Sequence, residues 1–426
     1  MIIKPKIKYK FNSYAEQNIV SYPKAEFAVF SDLHYYDKCL GTTGSAFEEC
    51  LESDRKLLKE SSELINLAID NILKSKVKFV LIPGDLTKDG EMLCHENIVK
   101  SLSRLKENGI KVYVIPGNHD VNNPLASKYE GNQKILVPSV TNKQFADIYK
   151  ECGYGEAIYR DTNSLSYVVE PVDNLWIIGL DTCRYKENKP GKEEIVGGKI
   201  SQEEAQWLTD ILEKAKENKK AVMVMQHHGI VEHWNGQSRI HSDYIVKDYE
   251  SLGKLMASYG VRVAFTGHYH AQNIALGDFE NHGYIYDIET GSLITAPCPI
   301  RYCTINDEKM EIKSQFLVDK LFPDTDFAKN AQEFTHYTLI KEAYDTLRKF
   351  YVSEKDSKYI ANYLGDAFLA HYSGYENIEN KPYFDSSKLG LWGKTVYRLQ
   401  KYVINGLWEY SPSGHNNVII DLKKKT

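Results

Sequence analysis

The sequence predicts an α/β fold that is followed by a helical region at the carboxyl end. Two observations lead to this order. Short apolar runs alternate with helical periodicities over most of the chain, which is typical of strands joined by crossover helices. After about residue 322, turn-forming residues thin out and long helical periodicity takes over. We therefore divide the chain into an α/β domain over residues 1–320 and a small all-α domain over residues 321–426.

The first part of the α/β domain alternates between strands and helices. Crossovers of this kind predict parallel strand pairing, and alone they would give a single open sheet. A loop rich in turn-forming residues covers 35–50, and Gly109 is placed to end the second helix. The predicted strands are 25–30, 77–82 and 112–115, and the predicted helices are about 52–74 and 92–108.

The second part contains an insertion, further strands and one well-marked helix. Residues 121–163 form the insertion and include a short predicted helix near 143–151. The helix 202–217 starts with a capping-box pattern from Ser201 to Glu204. Further strands are predicted at 166–169, 174–180, 221–225, 261–266, 283–288, 299–304 and 309–316, and carboxyl-terminal helices at about 326–352, 356–370 and 391–408.

The composition is that of an ordinary globular protein. Hydrophobic residues make up 42% and charged residues 26% of the 426 residues. The formal net charge is −5 and no long basic run occurs, which argues against a dedicated nucleic-acid binder. No apolar run is long enough for a membrane span or a signal peptide, so a cytoplasmic location is expected. Seven scattered cysteines indicate free thiols rather than a disulfide framework.

The segment Gly117-Asn118-His119-Asp120 directly follows a predicted strand. An amide, an imidazole and a carboxylate in consecutive positions are costly to bury without partners. They are therefore either solvated turn residues or residues that face a ligand at the edge of the sheet. One such segment would favour the turn, but four similar segments elsewhere in the chain favour the ligand.

Three of these segments place carboxylates or imidazoles directly after strands. Asp32 and His34 lie two residues apart, so an extended backbone puts both on one side. Asp85 follows the next strand. His268 and His270 repeat the spacing of two residues with a pair of imidazoles. Each of the two pairs, Asp32 with His34 and His268 with His270, can bind one metal ion.

The fourth segment is a pair of adjacent histidines. Five apolar residues, 221–225, precede Gln226 and then His227 and His228. Neighbouring side chains of an extended segment point to opposite sides, so only one needs to be a ligand, and we favour His227. The complete set of predicted ligands is Asp32, His34, Asp85, Asn118, His227, His268 and His270.

Seven nitrogen and oxygen ligands without a thiolate suit divalent metals such as Mn, Fe, Zn or Mg. Seven ligands are too many for one tetrahedral ion but fit two neighbouring ions that share one carboxylate. Asp85 is the expected bridge because a carboxylate can give one oxygen to each ion. One ion is expected to take Asp32, His34, Asp85 and His270, and the other Asp85, Asn118, His227 and His268.

Two such ions in a cleft predict hydrolysis of a phosphoester. A water that bridges the ions loses a proton near neutral pH and attacks phosphorus in line. His119 lies beside Asn118 and is not needed for the metals, so it is expected to protonate the leaving oxygen. Asp120 is expected to orient His119. The expected partner is a small phosphoester substrate.

The order and types of these residues resemble the calcineurin-like metallophosphoesterase superfamily. Its five sequence blocks correspond here to Asp32-Leu33-His34, residues 84–90, residues 117–120, His227 and residues 267–270. The resemblance covers about residues 25–317. It implies two mixed β-sheets packed as a sandwich and flanked by helices in four layers, with a dimetal site at the strand ends.

Within the superfamily, the chain is most similar to class III cyclic-nucleotide phosphodiesterases, including bacterial enzymes with an added helical carboxyl-terminal domain. The loop 40–47 carries this similarity. It implies hydrolysis of a small phosphodiester, for which a cyclic nucleotide is the suggested class. A phosphomonoesterase, such as a nucleotidase or a protein phosphatase, is the alternative, and a non-catalytic scaffold or a nuclease is less favoured. Arg184, Arg239 and Arg301 are candidates for holding a second anionic group, although an exposed surface arginine is the commoner outcome for each.

Overall fold

The computed structural model describes residues 7–12, 20–52, 54–376, 381–408 and 414–425. Its strands are β1 (Ala25–Val29), β2 (Phe79–Ile82), β3 (Lys111–Val114), β4 (Ser127–Glu130), β5 (Gln133–Leu136), β6 (Tyr159–Arg160), β7 (Tyr167–Val172), β8 (Leu175–Leu180), β9 (Ala221–Gln226), β10 (Val263–Thr266), β11 (Asn273–Asp278), β12 (Tyr284–Glu289), β13 (Pro299–Asn306), β14 (Lys309–Phe316) and β15 (Asn417–Asp421). Its helices are α1 (Ser45–Glu52), α2 (Ser61–Leu73), α3 (Met92–Glu107), α4 (Asn142–Ile148), α5 (Gln202–Glu217), α6 (Gln237–Ile240), α7 (Tyr249–Ser258), α8 (Phe327–Lys349), α9 (Glu354–Ser373) and α10 (Leu391–Leu407).

Two mixed sheets hold most of these strands. The first has the order β15-β14-β13-β1-β2-β3, and the second has the order β11-β12-β10-β9-β8-β7-β6. In the first sheet β1, β2 and β3 are parallel, whereas β13, β14 and β15 pair antiparallel. In the second, β8, β9, β10 and β12 are parallel. The two sheets confirm the fold implied by the resemblance, and the single open sheet indicated by the crossovers alone is wrong.

The two sheets share an apolar core because side chains alternate along each strand. The ring of Phe27 in β1 meets that of Phe265 in β10 edge to face, with centroids 5.4 Å apart. The opposite face of the second sheet packs against α5 and α7 in a separate core. Near the strand ends, His227 Nδ1 lies 2.8 Å from the carbonyl oxygen of Pro83. The residues that follow the parallel strands of both sheets therefore meet at one edge.

Local signals were reliable where they were strong. The helix predicted at 202–217 is α5, and its capping box is confirmed by reciprocal hydrogen bonds between Ser201 and Glu204. The single helix predicted at 52–74 is wrong, since α1 ends at Glu52 and α2 begins only at Ser61. The β4–β5 hairpin, β6 and β11 were not predicted, because their sequences lack a clear apolar alternation.

The carboxyl-terminal region contains the three predicted helices, α8, α9 and α10. It is not helical to its end, because β15 pairs antiparallel with β14 and extends the first sheet. The expectation of an all-α region over residues 321–426 is therefore wrong for this last segment. β15 therefore replaces β14 as the edge strand of this sheet. No helix within the described ranges is long and apolar enough to cross a membrane.

His95 on α3 is fully buried and links three elements near the strand ends. Its Nε2 lies 2.9 Å from the carbonyl oxygen of Asp120, and its Nδ1 lies 2.9 Å from Tyr149 Oη. Burial lowers the pKa of His95 to about 3, even though the contact with the Asp120 carbonyl favours protonation. The folded protein therefore stays unprotonated at His95 while the unfolded chain takes up a proton below its ordinary pKa of about 6.5.

The free energy of unfolding is consequently expected to fall as the pH drops from about 6.5 towards 3. A single proton of this kind contributes a slope of up to about 1.4 kcal/mol per pH unit. In urea unfolding at several pH values, His95→Gln should show a pH dependence that is shallower than wild type by this amount. Equal slopes in the two proteins would contradict the assignment.

Candidate metal centre

The predicted ligands from both sheets converge at the shared edge. The first group is Asp32, His34 and His270, whose donor atoms all lie within 4.8 Å of one another. His34 Nε2 and His270 Nε2 are 3.2 Å apart, and Asp32 Oδ1 is 3.4 Å from His270 Nε2. These separations are those of atoms that share one ion at about 2.0–2.2 Å.

A second group adjoins the first and consists of Asp85, His227 and His268. Asp85 Oδ2 is 3.4 Å from His227 Nε2 and 3.6 Å from His34 Nε2. Asp85 therefore lies between the two groups, where its carboxylate would be shared by two bound ions. Asn118 Oδ1 completes the second group at 3.1 Å from His227 Nε2. The structure thus brings all seven predicted residues together, and coordination by each of them stays a prediction.

Several of these residues have an unusual backbone conformation. Asp32, Asp85 and His268 have φ values of 52°, 51° and 73°, in the left-handed region that residues other than glycine rarely adopt. Such strain is typical of functional sites, because the surrounding fold must hold it in place. All three residues lie in the segments that follow β1, β2 and β10. His34 also has a positive φ of 36°, so the extended backbone expected for Asp32 and His34 is wrong.

The glycines of the motifs permit close approach between these turns. A Cβ atom on Gly117 would lie 2.0 Å from Asp85 Oδ1. A Cβ atom on Gly267 would lie 2.3 Å from Asp32 Oδ2. Both distances are shorter than any real contact, so the carboxylates reach their positions only because these residues are glycines.

Hydrogen bonds to the outer nitrogens orient two of the histidines. His227 Nδ1 faces the Pro83 carbonyl oxygen at 2.8 Å, which directs Nε2 into the second group. His268 Nε2 faces the Asp243 carbonyl oxygen at 3.2 Å, which leaves Nδ1 for coordination. The structure also separates the adjacent pair of histidines, because His228 points away.

His228 uses both ring nitrogens in other contacts. Its Nδ1 is 2.7 Å from Thr182 Oγ1, and its Nε2 is 2.8 Å from the Val196 carbonyl oxygen. Burial and the neighbouring His227 lower the pKa of His228 to about 3. His227, the favoured residue of the pair, is therefore the one that faces the predicted metal centre.

The charges of the donor set call for bound cations. Asp32 and Asp85 are 0% and 1% exposed, so their charges are costly to bury unless a positive charge compensates them. Within the described part of the chain, neither carboxylate has a lysine or arginine within ion-pair distance. Two divalent ions would provide the missing positive charge, so the donor set is suited to a pair of metal ions.

His119 lies beside the second group, and one of its ring nitrogens contacts a carboxylate outside that group. Its Nδ1 is 3.0 Å from Asp89 Oδ1, and its Nε2 is 4.0 Å from Asp85 Oδ2. Burial and Lys56 oppose protonation of His119, but Asp85 and the hydrogen bond to Asp89 raise its pKa to about 9. Nε2 is therefore the nitrogen that faces the centre. His119 also forms a metal-compatible group with His34 and Asp85, which leaves coordination as its alternative role.

The expectation that Asp120 orients His119 is wrong in this structure. The Asp120 carboxylate turns back into the protein and accepts hydrogen bonds from the backbone N–H groups of Leu86, Thr87 and Gly117 at 2.8–3.0 Å. Burial and the nearby charge of Asp85 raise the pKa of Asp120 to about 7. Asp120 therefore holds two ligand-bearing turns together, and Asp89 takes the position next to His119. The only sequence signal for Asp89 was its place four residues after Asp85 in the second motif.

Lys56 was also missed by the sequence analysis. It is 7% exposed, and its Nζ lies 2.9 Å from Asp54 Oδ2. Burial is the main cause of the lowered pKa values of His34 and His270, and the charge of Lys56 adds to it. At His119 the same charge opposes the rise in pKa that Asp85 and Asp89 cause. A helix was predicted through this segment, whereas residues 54–57 are irregular and lie between α1 and α2.

Two of the three arginines that were candidates for holding a second anionic group are engaged in other contacts. Arg301 is fully buried, and its guanidinium donates to the carbonyl oxygens of His415 and Glu289 at 2.6 and 2.7 Å. It is a structural residue that joins the two sheets. Arg184 forms a bidentate ion pair with Glu187, and both hydrogen bonds are 2.8 Å long. Arg239 lies elsewhere, at the edge of a cavity that adjoins the centre.

The comparison with known families decides the identity of this site. A family model described as calcineurin-like phosphoesterase matches residues 25–272, which is more than half of the chain. The chain belongs to the calcineurin-like phosphoesterase family. Members of this family use two divalent metal ions, and the clustered aspartates and histidines of this phosphoesterase supply a site for them. When bound, the ions supply Lewis acidity and positive charge for hydrolysis of a phosphoric ester.

Solved structures similar to this phosphoesterase include several hydrolases. A dimetal phosphatase from Danio rerio has 15% sequence identity, with coverage of 68% of this chain and 96% of that chain, at a TM-score of 0.48. Purple acid phosphatase PPD1 from yellow lupin has 12% identity, with coverage of 72% and 53%, at a TM-score of 0.39. The NAD nucleotidase NadN from Haemophilus influenzae has 11% identity, with coverage of 74% and 56%, at a TM-score of 0.35. A search of curated proteins gave no match.

Proposed function

We propose that this phosphoesterase is a dimetal phosphodiesterase that hydrolyses a small phosphodiester, with cyclic nucleotides as the first class to examine. The preference for a diester rests on one observation: the lysine and arginine side chains near the metal centre are already paired with carboxylates. Burial is the main cause of the lowered pKa values of His270 and His228, and nearby cations add to it: Lys56 and Arg55 at His270, and Arg184 at His228.

Each of these three cations is already neutralised by a carboxylate. Lys56 pairs with Asp54 at 2.9 Å, Arg55 pairs with Glu342 at 2.7 Å, and Arg184 pairs with Glu187 at 2.8 Å. A phosphomonoester carries close to two negative charges at neutral pH, whereas a diester carries one. A centre whose own cations are occupied is better matched to the smaller charge.

The residues of the chain then have separate roles in the proposed reaction. Asp32, Asp85 and their histidine neighbours hold the two ions, and burial of the site excludes bulk water from them. His119 Nε2 faces the centre and donates a proton to the departing ester oxygen. Asp89 holds the imidazole by its Nδ1 in the orientation that this transfer requires.

The test uses metal-stripped protein to which Mn²⁺ is added back. Hydrolysis of bis-p-nitrophenyl phosphate is compared with hydrolysis of p-nitrophenyl phosphate at equal concentrations. We expect turnover that depends on the metal, with kcat/KM higher for the diester by at least about tenfold, a difference of about 1.4 kcal/mol in transition-state binding. Preference for the monoester would overturn the proposal in favour of a phosphatase. Absence of metal-dependent turnover of both compounds would favour a non-catalytic role.

A further inference from the structure

A cavity of about 590 Å³ lies between the carboxyl-terminal helices and the catalytic region. All three helices line it, for example through Ala343 of α8, Phe368 of α9 and Val403 of α10. Most of the other lining side chains are also aliphatic or aromatic. The volume is within the range of sites that enclose a small organic molecule.

This cavity shares a wall with the metal centre. Tyr244 and Tyr269 line the cavity, and the ring centroid of Tyr244 is 4.7 Å from that of the predicted ligand His268. Tyr269 lies in sequence between His268 and His270 and packs in one core with residues of α8, α9 and α10. The cavity and the predicted metal centre are therefore neighbours, separated by the rings of Tyr244 and Tyr269.

The lining of the cavity contains two arginines and one glutamate. The arginines are Arg55 and Arg239. The Arg55 guanidinium is paired with Glu342, whose side chain is 60% exposed, and its Nε has no hydrogen-bond partner. Arg239 forms no ion pair within the described ranges of the chain. Glu342 also lines the cavity and neutralises Arg55, so Arg239 supplies the one uncompensated positive charge among the described lining residues. One such charge suits a monoanion that carries a large apolar group.

The outer side of the cavity is apolar and open. Phe350, Trp392 and Leu399 line it and are 58%, 52% and 65% exposed. Large apolar side chains grouped at the mouth of a cavity are unfavourable in water and mark a binding surface. A ligand with an extended apolar part would remove them from water.

We propose that this cavity binds a large apolar ester group of the substrate, so that the enzyme acts on phosphodiesters of an aliphatic or aromatic alcohol. The inference rests on the proposed function and narrows its substrate class from any small diester to those with an extended apolar group. In the reaction, the oxygen of water forms a new bond to phosphorus, the bond to the other ester oxygen breaks, and that alcohol leaves with a proton. The apolar group stays on phosphorus and in the cavity throughout.

The experiment uses full-length, Mn²⁺-loaded enzyme and a series of alkyl p-nitrophenyl phosphates with methyl, butyl and octyl groups. Burial of the added methylenes should raise kcat/KM from the methyl to the octyl ester by at least about 100-fold. The ratio of the two values is measured within each protein, so differences in the fraction of active enzyme cancel.

Two tryptophan variants of α8 test the location. Ala343→Trp fills the cavity and should reduce the octyl-to-methyl ratio of kcat/KM to about one, because both esters have the same leaving group. Gln332→Trp places the same side chain at an exposed position of α8 that does not line the cavity, and it should keep the wild-type ratio. A wild-type ratio near one, or an unchanged ratio in Ala343→Trp, would overturn the proposal.

A binding measurement separates failure of this inference from failure of the proposed function. Calorimetry follows the binding of octylphosphonate, which is not hydrolysed, to wild type and to Ala343→Trp. Tight binding to wild type that is lost in Ala343→Trp supports the cavity, even if no diester is turned over and the proposed function fails. Equal binding to both proteins would overturn the cavity assignment, whatever the turnover.

Discussion

Replacing Asp85 by asparagine is expected to remove both metal ions and nearly all hydrolysis. The Asp85 carboxylate lies 3.6 Å from His34 Nε2 in one ligand group and 3.4 Å from His227 Nε2 in the other. An amide of the same shape offers one neutral oxygen, so it cannot serve two ions or compensate their charge. We expect kcat/KM to fall by at least about 10³-fold, more than the 10- to 100-fold typical of residues that only support ligands.

A second aspartate at a strand end provides the control. Asp181 is 2% exposed and accepts hydrogen bonds from the backbone N–H groups of Leu165 and Cys183, both at 3.0 Å. Asp181→Asn should therefore retain both ions, whereas Asp85→Asn should retain neither, as measured by elemental analysis of the purified proteins. Turnover close to wild type in Asp85→Asn would refute the bridging role.

The sequence was most informative where the signal was local. An apolar run followed by a polar residue marks a strand end, and that pattern alone is enough to locate the candidate ligands. The clearest case is His227, which could be preferred over His228 from the alternation of side chains. Contacts then show why the alternation holds, since Thr182 and Val196 occupy both nitrogens of His228.

The features that the sequence did not predict depend on contacts between distant residues. Lys56 lies in a segment with helical periodicity, yet the backbone there is irregular. Its side chain pairs with Asp54 and lies close enough to the predicted ligands His34 and His270 to affect their pKa values. β15 pairs with a strand about a hundred residues earlier in the chain, after three intervening helices. Periodicity reports which face of an element is apolar, but not which distant element covers that face.

Asp120 shows that even adjacent positions in sequence do not predict which side chains are in contact. It is the neighbour of His119 in sequence, but the turn after β3 directs its carboxylate to the backbone of the turn after β2. Asp89, thirty residues from His119, reaches the imidazole instead. The aspartate next to His119 in sequence is therefore not the aspartate that lies beside it in the structure.

His119→Ala is expected to keep both metal ions and to slow the hydrolysis of esters with poor leaving groups. General acid catalysis of this kind is worth about 10²–10⁴-fold, and it matters little when the leaving group is as stable as p-nitrophenolate. The measurement compares kcat for an aryl ester series that spans a range of leaving-group pKa values. A steeper dependence on leaving-group pKa than in wild type is the expected signature, and loss of metal would instead make His119 a ligand.

The two neighbouring carboxylates distinguish orientation from structural support. Asp89→Asn weakens the hold on His119 Nδ1, so it should steepen the leaving-group dependence in the same sense as His119→Ala, but by less. Asp120→Asn disturbs three backbone hydrogen bonds and should lower the free energy of unfolding by about 1–3 kcal/mol. Its leaving-group dependence should match wild type, because Asp120 does not contact the imidazole. If Asp120→Asn, rather than Asp89→Asn, reproduced the His119→Ala profile, the orienting role would belong to Asp120 after all.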